Sequence, residues 1–165
     1  MTRQAYISLG SNIGNRPHWL RFARNEIRKN LGSIISESSI YRTEPWQMEN
    51  AGWFANQVIQ VETSFDSKDI LELTQNIEQD SGRKRKENDQ GEYASRTLDI
   101  DLLYLDNLII DSGNITIPHP RLHVRQFTLI PLVEISANFM HPILGMTNQE
   151  LLEICEDSTS VKLLE

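Results

Sequence analysis

Leu98-Asp99-Ile100-Asp101-Leu102-Leu103-Tyr104 opens with apolar and acidic residues in strict alternation, the period of a half-buried strand. Its place in the chain sets the fold. Upstream, Ala5-Tyr6-Ile7-Ser8-Leu9 is rich in strand formers and stops at Gly10-Ser11-Asn12. Pro17 suits the first turn of a following helix, in which Trp19, Leu20, Ala23, Ile27 and Leu31 recur at helical spacing. Gly32 is expected to end that helix as a left-handed cap. Residues 34–41 and 54–62 read as two strands joined by a loop holding Thr43, Glu44, Pro45 and Trp46. A second helix follows, with Ile70, Leu73 and Ile77 on its buried stripe, Asp66 or Ser67 at its start and Gly82 at its end. The strand at 98–104 then completes the order βαββαβ. That order predicts an α+β fold with a ferredoxin-like core, an antiparallel sheet flanked by helices.

Additional C-terminal elements extend this core. Residues 108–110 and 115–117 read as short strands, and 127–135 as a helix despite Pro131. Thr147 followed three residues later by Glu150 forms a capping box ahead of Leu151, Leu152 and Ile154. No composition break or repeat divides the 165 residues, so one domain spanning 1–165 is expected. A chain of about 150 residues buries roughly 68–70% of its unfolded surface, enough for a core without disulfide or structural-metal staples. Cys155, the single cysteine, reads as core. The net charge of −7 lowers the odds of a nucleic-acid or anionic-membrane binder. No apolar run approaches the ~20 residues of a membrane span, so a cytoplasmic protein, monomeric and without membrane partners, is the expectation.

Asp99 and Asp101 lie two apart on the predicted strand, so both carboxylates project from one face while Leu98, Ile100 and Leu102 point to the other. Paired anionic oxygens on a rigid element suit Mg²⁺, which keeps water and is shared with substrate phosphates. Alone, such a pair is more often a solvated strand face. The run Arg83-Lys84-Arg85-Lys86, with Arg96 just before the strand, adds cations suited to clamp phosphate oxygens. The polar stretch between them is long for a structureless loop in a compact domain, which favours a lid over a bland surface loop. Downstream, Pro118-His119-Pro120 makes a rigid turn ahead of Arg125. On the strand from residue 54, Phe54 and Asn56 share a face, an aromatic surface beside an amide that reads the polar edge of a flat heterocycle. A packed phenylalanine and an edge amide are the ordinary alternative. There is no Gly-rich phosphate loop of the Walker type and no zinc-site spacing.

Taken in this order, the acidic strand, the arginines and the Pro-His turn resemble the 6-hydroxymethyl-7,8-dihydropterin pyrophosphokinase family. The resemblance covers nearly the whole chain. Its most specific part is the unbroken Arg96-Thr97-Leu98-Asp99-Ile100-Asp101, supported by residues 6–12, Tyr41-Arg42-Thr43, residues 54–64, 75–85, Ile117-Pro118-His119-Pro120 and 125–135. It implies a Mg²⁺-dependent diphosphotransferase of folate biosynthesis, moving pyrophosphate from ATP to the pterin hydroxymethyl group and releasing AMP. It further implies that Asp99 and Asp101 hold two Mg²⁺ ions with ATP. The pterin would lie between Phe54 and Phe127, with Thr43, Pro45, Trp46 and Asn56 around its edge. Gln75, Glu78, Arg85, Leu102, Thr116, His119 and Arg125 would line the nucleotide site, and Arg83 and Arg96 would meet the transferred phosphates. Loops at 43–53 and 83–95 would close over both substrates.

Three positions depart from the family pattern. The frequent Trp-Gly-Pro before Arg-Thr is replaced by Glu92-Tyr93-Ala94-Ser95, Thr-Pro-Pro by Thr43-Glu44-Pro45, and the aromatic residue after Pro-His by Pro120. These bear on the loops, not on the acidic pair. Two other readings stand beside the resemblance. An RNA-recognition module shares the βαββαβ order, but the aromatic signature of its strands is missing here. A different Mg²⁺-dependent nucleotidyl- or phosphotransferase would use the same acidic pair, and Phe54, Asn56 and Phe127 discriminate against it.

Overall fold

A computed structural model describes residues 1–45, 52–82 and 97–164. Strands β1 (Arg3–Ser11), β4 (Phe54–Thr63) and β5 (Asp99–Leu105) are the three longest of an antiparallel sheet, with β1 between the other two and β5 at one edge. On the far side of β4 lie β2 (Ser33–Glu37) and β3 (Tyr41–Thr43), and β8 (Val161–Leu163) pairs with β3 at the outer edge. A separate hairpin joins β6 (Ile110–Ser112) to β7 (Ile115–Ile117).

Two cores sandwich the sheet. On one face α1 (Arg16–Asn30) and α2 (Ser67–Asp80) bury Leu20, Ala23, Ile27, Ile70 and Ile77 against Ile7, Leu9, Ile59 and Ile100. On the other, α3 (Gln126–Ser136) and α4 (Asn148–Ile154) bury Leu129, Leu132 and Leu151 against Tyr6, Val58, Leu103 and Tyr104. Burying side chains of this size is worth roughly 1.5–3 kcal/mol each, which fixes the strand faces. Among the described residues no helix is long and apolar enough to cross a membrane.

Local signals place most ends. Asn15 accepts from His18 N at 3.2 Å to start α1, Asp66 accepts from Asp69 N at 3.0 Å to start α2, and Thr147 accepts from Glu150 N at 3.2 Å to start α4. Gly82 follows α2 with φ +80°. Four expectations need correction. Gly32 is not a left-handed cap: Leu31 closes α1, and Gly32 is glycine because a β-carbon would sit 2.1 Å from the Glu62 carbonyl oxygen of β4. The strand expected over 34–41 is two strands, because the Ser38 hydroxyl takes the Val58 N–H at 3.0 Å and kinks the chain between β2 and β3. The strand expected at 108–110 begins two residues later, since Leu108 N closes a turn onto Leu105 O at 3.1 Å. Cys155 ends α4 half-buried at the margin of the second core rather than within it.

Candidate active site

Antiparallel register sets Asp99 opposite Gly10, Gly10 opposite Asn56 and Asn56 opposite Tyr41. One step along, Asp101 faces Ser8, and one step the other way Thr43 faces Phe54. Opposed residues share a face, so Asp99, Asp101, Gly10, Asn56, Thr43 and Phe54 all lie on the α3 side of the sheet. With strands about 4.8 Å apart, Asp99 and Asn56 stand roughly 10 Å apart across a bare glycine. A β-carbon at Gly10 would meet Asn56 Oδ1 at 2.8 Å and Phe54 Cδ1 at 3.9 Å. Asn56 is buried, and its Nδ2 donates to Thr43 Oγ1 at 2.6 Å, which leaves Oδ1 aimed over the Gly10 gap as an acceptor. Gly10 is the residue that reading the sequence as a strand end missed; its position inside β1 rather than after it is the signal.

Phe127 is the second residue of α3 and half-buried, with the Arg125 guanidinium carbon 5.6 Å from its ring centroid. Arg125 itself is buried. His119 docks on the outer edge of β5, its N–H donating to Leu103 O at 2.9 Å. Its Nδ1 accepts from Arg121 N at 3.1 Å, so the ring proton sits on Nε2. Burial first, and the Arg125 charge second, push the imidazole down to about 4 against the opposing pull of Asp99. At neutral pH it is an uncharged donor near both.

Gln75, Glu78 and Leu102, expected at the nucleotide site, lie on the opposite side of β5. α2 lies against β5 and β7. Glu78 is buried on α2 and accepts from Ile100 N at 2.8 Å, tying that helix to the strand bearing both aspartates. Gln75 is half-buried one turn earlier, Thr116 is exposed on β7, and Leu102 packs against the first core. Trp46, Arg83, Arg85 and Arg96 lie outside the described residues. So do most of the two loops expected to close over the substrates. Pro45 is half-buried just after β3.

Both aspartates are half-buried and on one face of a strand held on both sides. Among the described residues no group of three or more histidine, cysteine or carboxylate side chains is gathered for a metal. Two carboxylates alone suit a hard divalent ion whose remaining ligands are water and phosphate oxygens, so the donor set fits Mg²⁺ bound together with a nucleotide.

Residues 6–137 match the family described as 7,8-dihydro-6-hydroxymethylpterin-pyrophosphokinase. The chain belongs to that family. It is 38% identical to the 2-amino-4-hydroxy-6-hydroxymethyldihydropteridine pyrophosphokinase of Bacillus subtilis, over 82% of this chain and 79% of that one. It is 30% identical to the enzyme of the same name from Haemophilus influenzae, over 98% of this chain and 96% of that one. A solved structure of Plasmodium falciparum HPPK-DHPS shares the fold with a TM-score of 0.78 at 18% identity, covering 93% of this chain and 44% of that one. The chain thus spans less than half of that protein's length. Membership of the pyrophosphokinase family decides among the three readings: the function is pyrophosphoryl transfer to 6-hydroxymethyldihydropterin in folate biosynthesis.

Proposed function

We propose that the row from Asp99 across Gly10 to Asn56 is where the transfer takes place, with ATP as donor, and that Asp99 and Asp101 hold two Mg²⁺ ions. The single observation that carries this is the shared face of carboxylate pair, bare glycine and fixed amide. The pterin lies over Gly10, stacked between Phe54 and Phe127. Asn56 Oδ1 accepts from its N–H edge, with Thr43 holding the amide and Pro45 and Trp46 closing the rim. ATP runs past Gln75, Glu78, Leu102 and Thr116, and its phosphates turn toward the aspartates past His119 and Arg125. Arg83, Arg85 and Arg96 belong to the phosphate side by resemblance.

In the reaction, the hydroxymethyl oxygen of the pterin forms a bond to the β-phosphorus of ATP as the bond from that phosphorus to the α,β-bridging oxygen breaks. AMP leaves with that bridging oxygen, and the hydroxyl proton passes to solvent through a carboxylate oxygen of Asp99. When bound, Mg²⁺ neutralises the phosphate charge at the reacting centre. The protein contributes positioning and charge, which supply most of the catalysis in phosphoryl transfer. Neutral His119 donates from Nε2 without adding a second full charge beside Arg125.

The strand arrangement supports a ferredoxin-like core whose second strand is split into β2 and β3. We infer one pyrophosphokinase domain over residues 1–165, acting in the cytoplasm as a monomer without nucleic-acid or membrane partners. The test is product analysis by phosphorus NMR with ATP, Mg²⁺ and the pterin. Equal amounts of AMP and pterin diphosphate support the reading, and ADP with a pterin monophosphate overturns it.

A further inference from the structure

The C-terminal run after α4 crosses back over the start of α3 and ends as an edge strand beside β3. It lies beyond residues 6–137 that match the family, so membership assigns it no role. α3 begins without a side-chain cap of its own, because Arg125 stands at the N-cap position and makes no capping bond. Asp157 supplies one from a distance: its Oδ2 accepts from Gln126 N, the first residue of α3, at 2.9 Å. The other oxygen is held in a local turn, Oδ1 accepting from Thr159 N at 3.0 Å and from Thr159 Oγ1 at 2.8 Å. Gln126 Nε2 donates back to Thr159 O at 3.3 Å. The next residue, Ser160, accepts through its carbonyl from Glu44 N at 3.1 Å, and Val161 pairs with Thr43. One short run therefore grips the helix turn that carries Phe127 and the strand end that carries Thr43.

We propose that residues 157–163 are a strap that sets the gap between Phe127 and the Thr43–Pro45 rim, and that Asp157 is a positioning residue for the pterin. This rests on the pterin site proposed above. The body of α3 is secured elsewhere, since Glu134 accepts from Ser39 N at 3.0 Å, from Ser39 Oγ at 2.8 Å and from Tyr41 Oη. Loss of Asp157 therefore loosens only the start of the helix, where it holds Gln126 N; from Thr128 on the turn is already closed, Thr128 N donating to Arg125 O at 3.1 Å. Phe127 is in that turn.

The test compares Asp157→Ala and Asp157→Asn with the parent full-length chain. Asn keeps one acceptor oxygen, enough to cap Gln126 N about as well as Asp although its Nδ2 cannot accept from Thr159 N, whereas Ala removes both oxygens. Calorimetric titration of 6-hydroxymethyl-7,8-dihydropterin, in Mg²⁺ and a non-hydrolysable ATP analogue, should show Ala weakening pterin binding roughly tenfold. Affinity for the analogue and kcat should stay within about twofold, and Asn, which keeps the oxygen for Gln126 N, should restore most of the pterin binding. Hydrogen exchange at the Gln126 N–H should be faster in the Ala variant and near normal in the Asn variant. Unchanged exchange in Asp157→Ala overturns the strap, as does unchanged pterin affinity in an Ala variant whose parent binds the pterin. If the parent chain binds no pterin, the site reading fails, and slow exchange at the Gln126 N–H that Ala abolishes still supports the hold that Asp157 exerts.

Discussion

Along β1, β4 and β5, the face beneath α3 changes character within a few residues. At one end Tyr6, Val58, Leu103 and Tyr104 pack against Leu129, Leu132 and Leu151, and the Tyr6 and Tyr104 rings meet edge-on at 5.9 Å. At the other end the same three strands present Gly10, Asn56, Asp99 and Asp101. The junction is built into the backbone. A register shift opposite Tyr6 and Ile7 gives β5 one extra residue, which lets the neighbours Leu103 and Tyr104 both reach the second core. The packed end is made by burial and the polar end inherits its rigidity through continuous strands, so the proposed site and the core occupy one surface without sharing side chains.

That separation is breakable by mutation. Leu129→Ala, at a fully buried position, should cost about 2–5 kcal/mol in urea denaturation while kcat per folded molecule is retained. A matching loss of turnover in the folded fraction would show that the two ends are not separable. Asp101→Ala should do the reverse, lowering kcat about 10²–10³-fold with the urea midpoint unchanged or raised. Near-normal turnover at saturating Mg²⁺ would remove Asp101 from the proposed metal site.

A smaller effect sharpens the border between the two ends. His119 titrates at about 4 when folded, against about 6.5 when unfolded. Between those values the unfolded chain binds more protons, so stability rises with pH, is complete above about 6.5 and is lost as pH falls toward 4. His119→Gln should flatten the part of the stability profile between pH 4 and 6.5 that the parent shows by urea titration. An unchanged slope would mean that other groups carry it.

Much of this was legible in the sequence because periodicity and caps act locally. Ile70 and Ile77 marked a helix face, Asp66 and Thr147 marked helix starts, and the alternation from Leu98 placed both aspartates on one side. What escaped depends on distant partners. Gly32 signalled a helix end but answers to the Glu62 carbonyl of another strand. Ser38 looked like an ordinary strand residue until the Val58 N–H claimed its hydroxyl. The first turn of α3 has no local cap because its partner, Asp157, lies 31 residues away. In the site, Phe54 and Asn56 were readable as sharing a face, whereas the gap above Gly10 exists only when β1 lies beside β4.

The most direct test of the polar end as a pterin site is calorimetric titration of pterin and of a non-hydrolysable ATP analogue, each into the parent chain and into Phe54→Ala. Loss of a stacking aromatic is worth about 1–3 kcal/mol for a flat base. The account predicts pterin affinity weaker by about tenfold or more, with analogue affinity unchanged. Equal weakening of both ligands would contradict it.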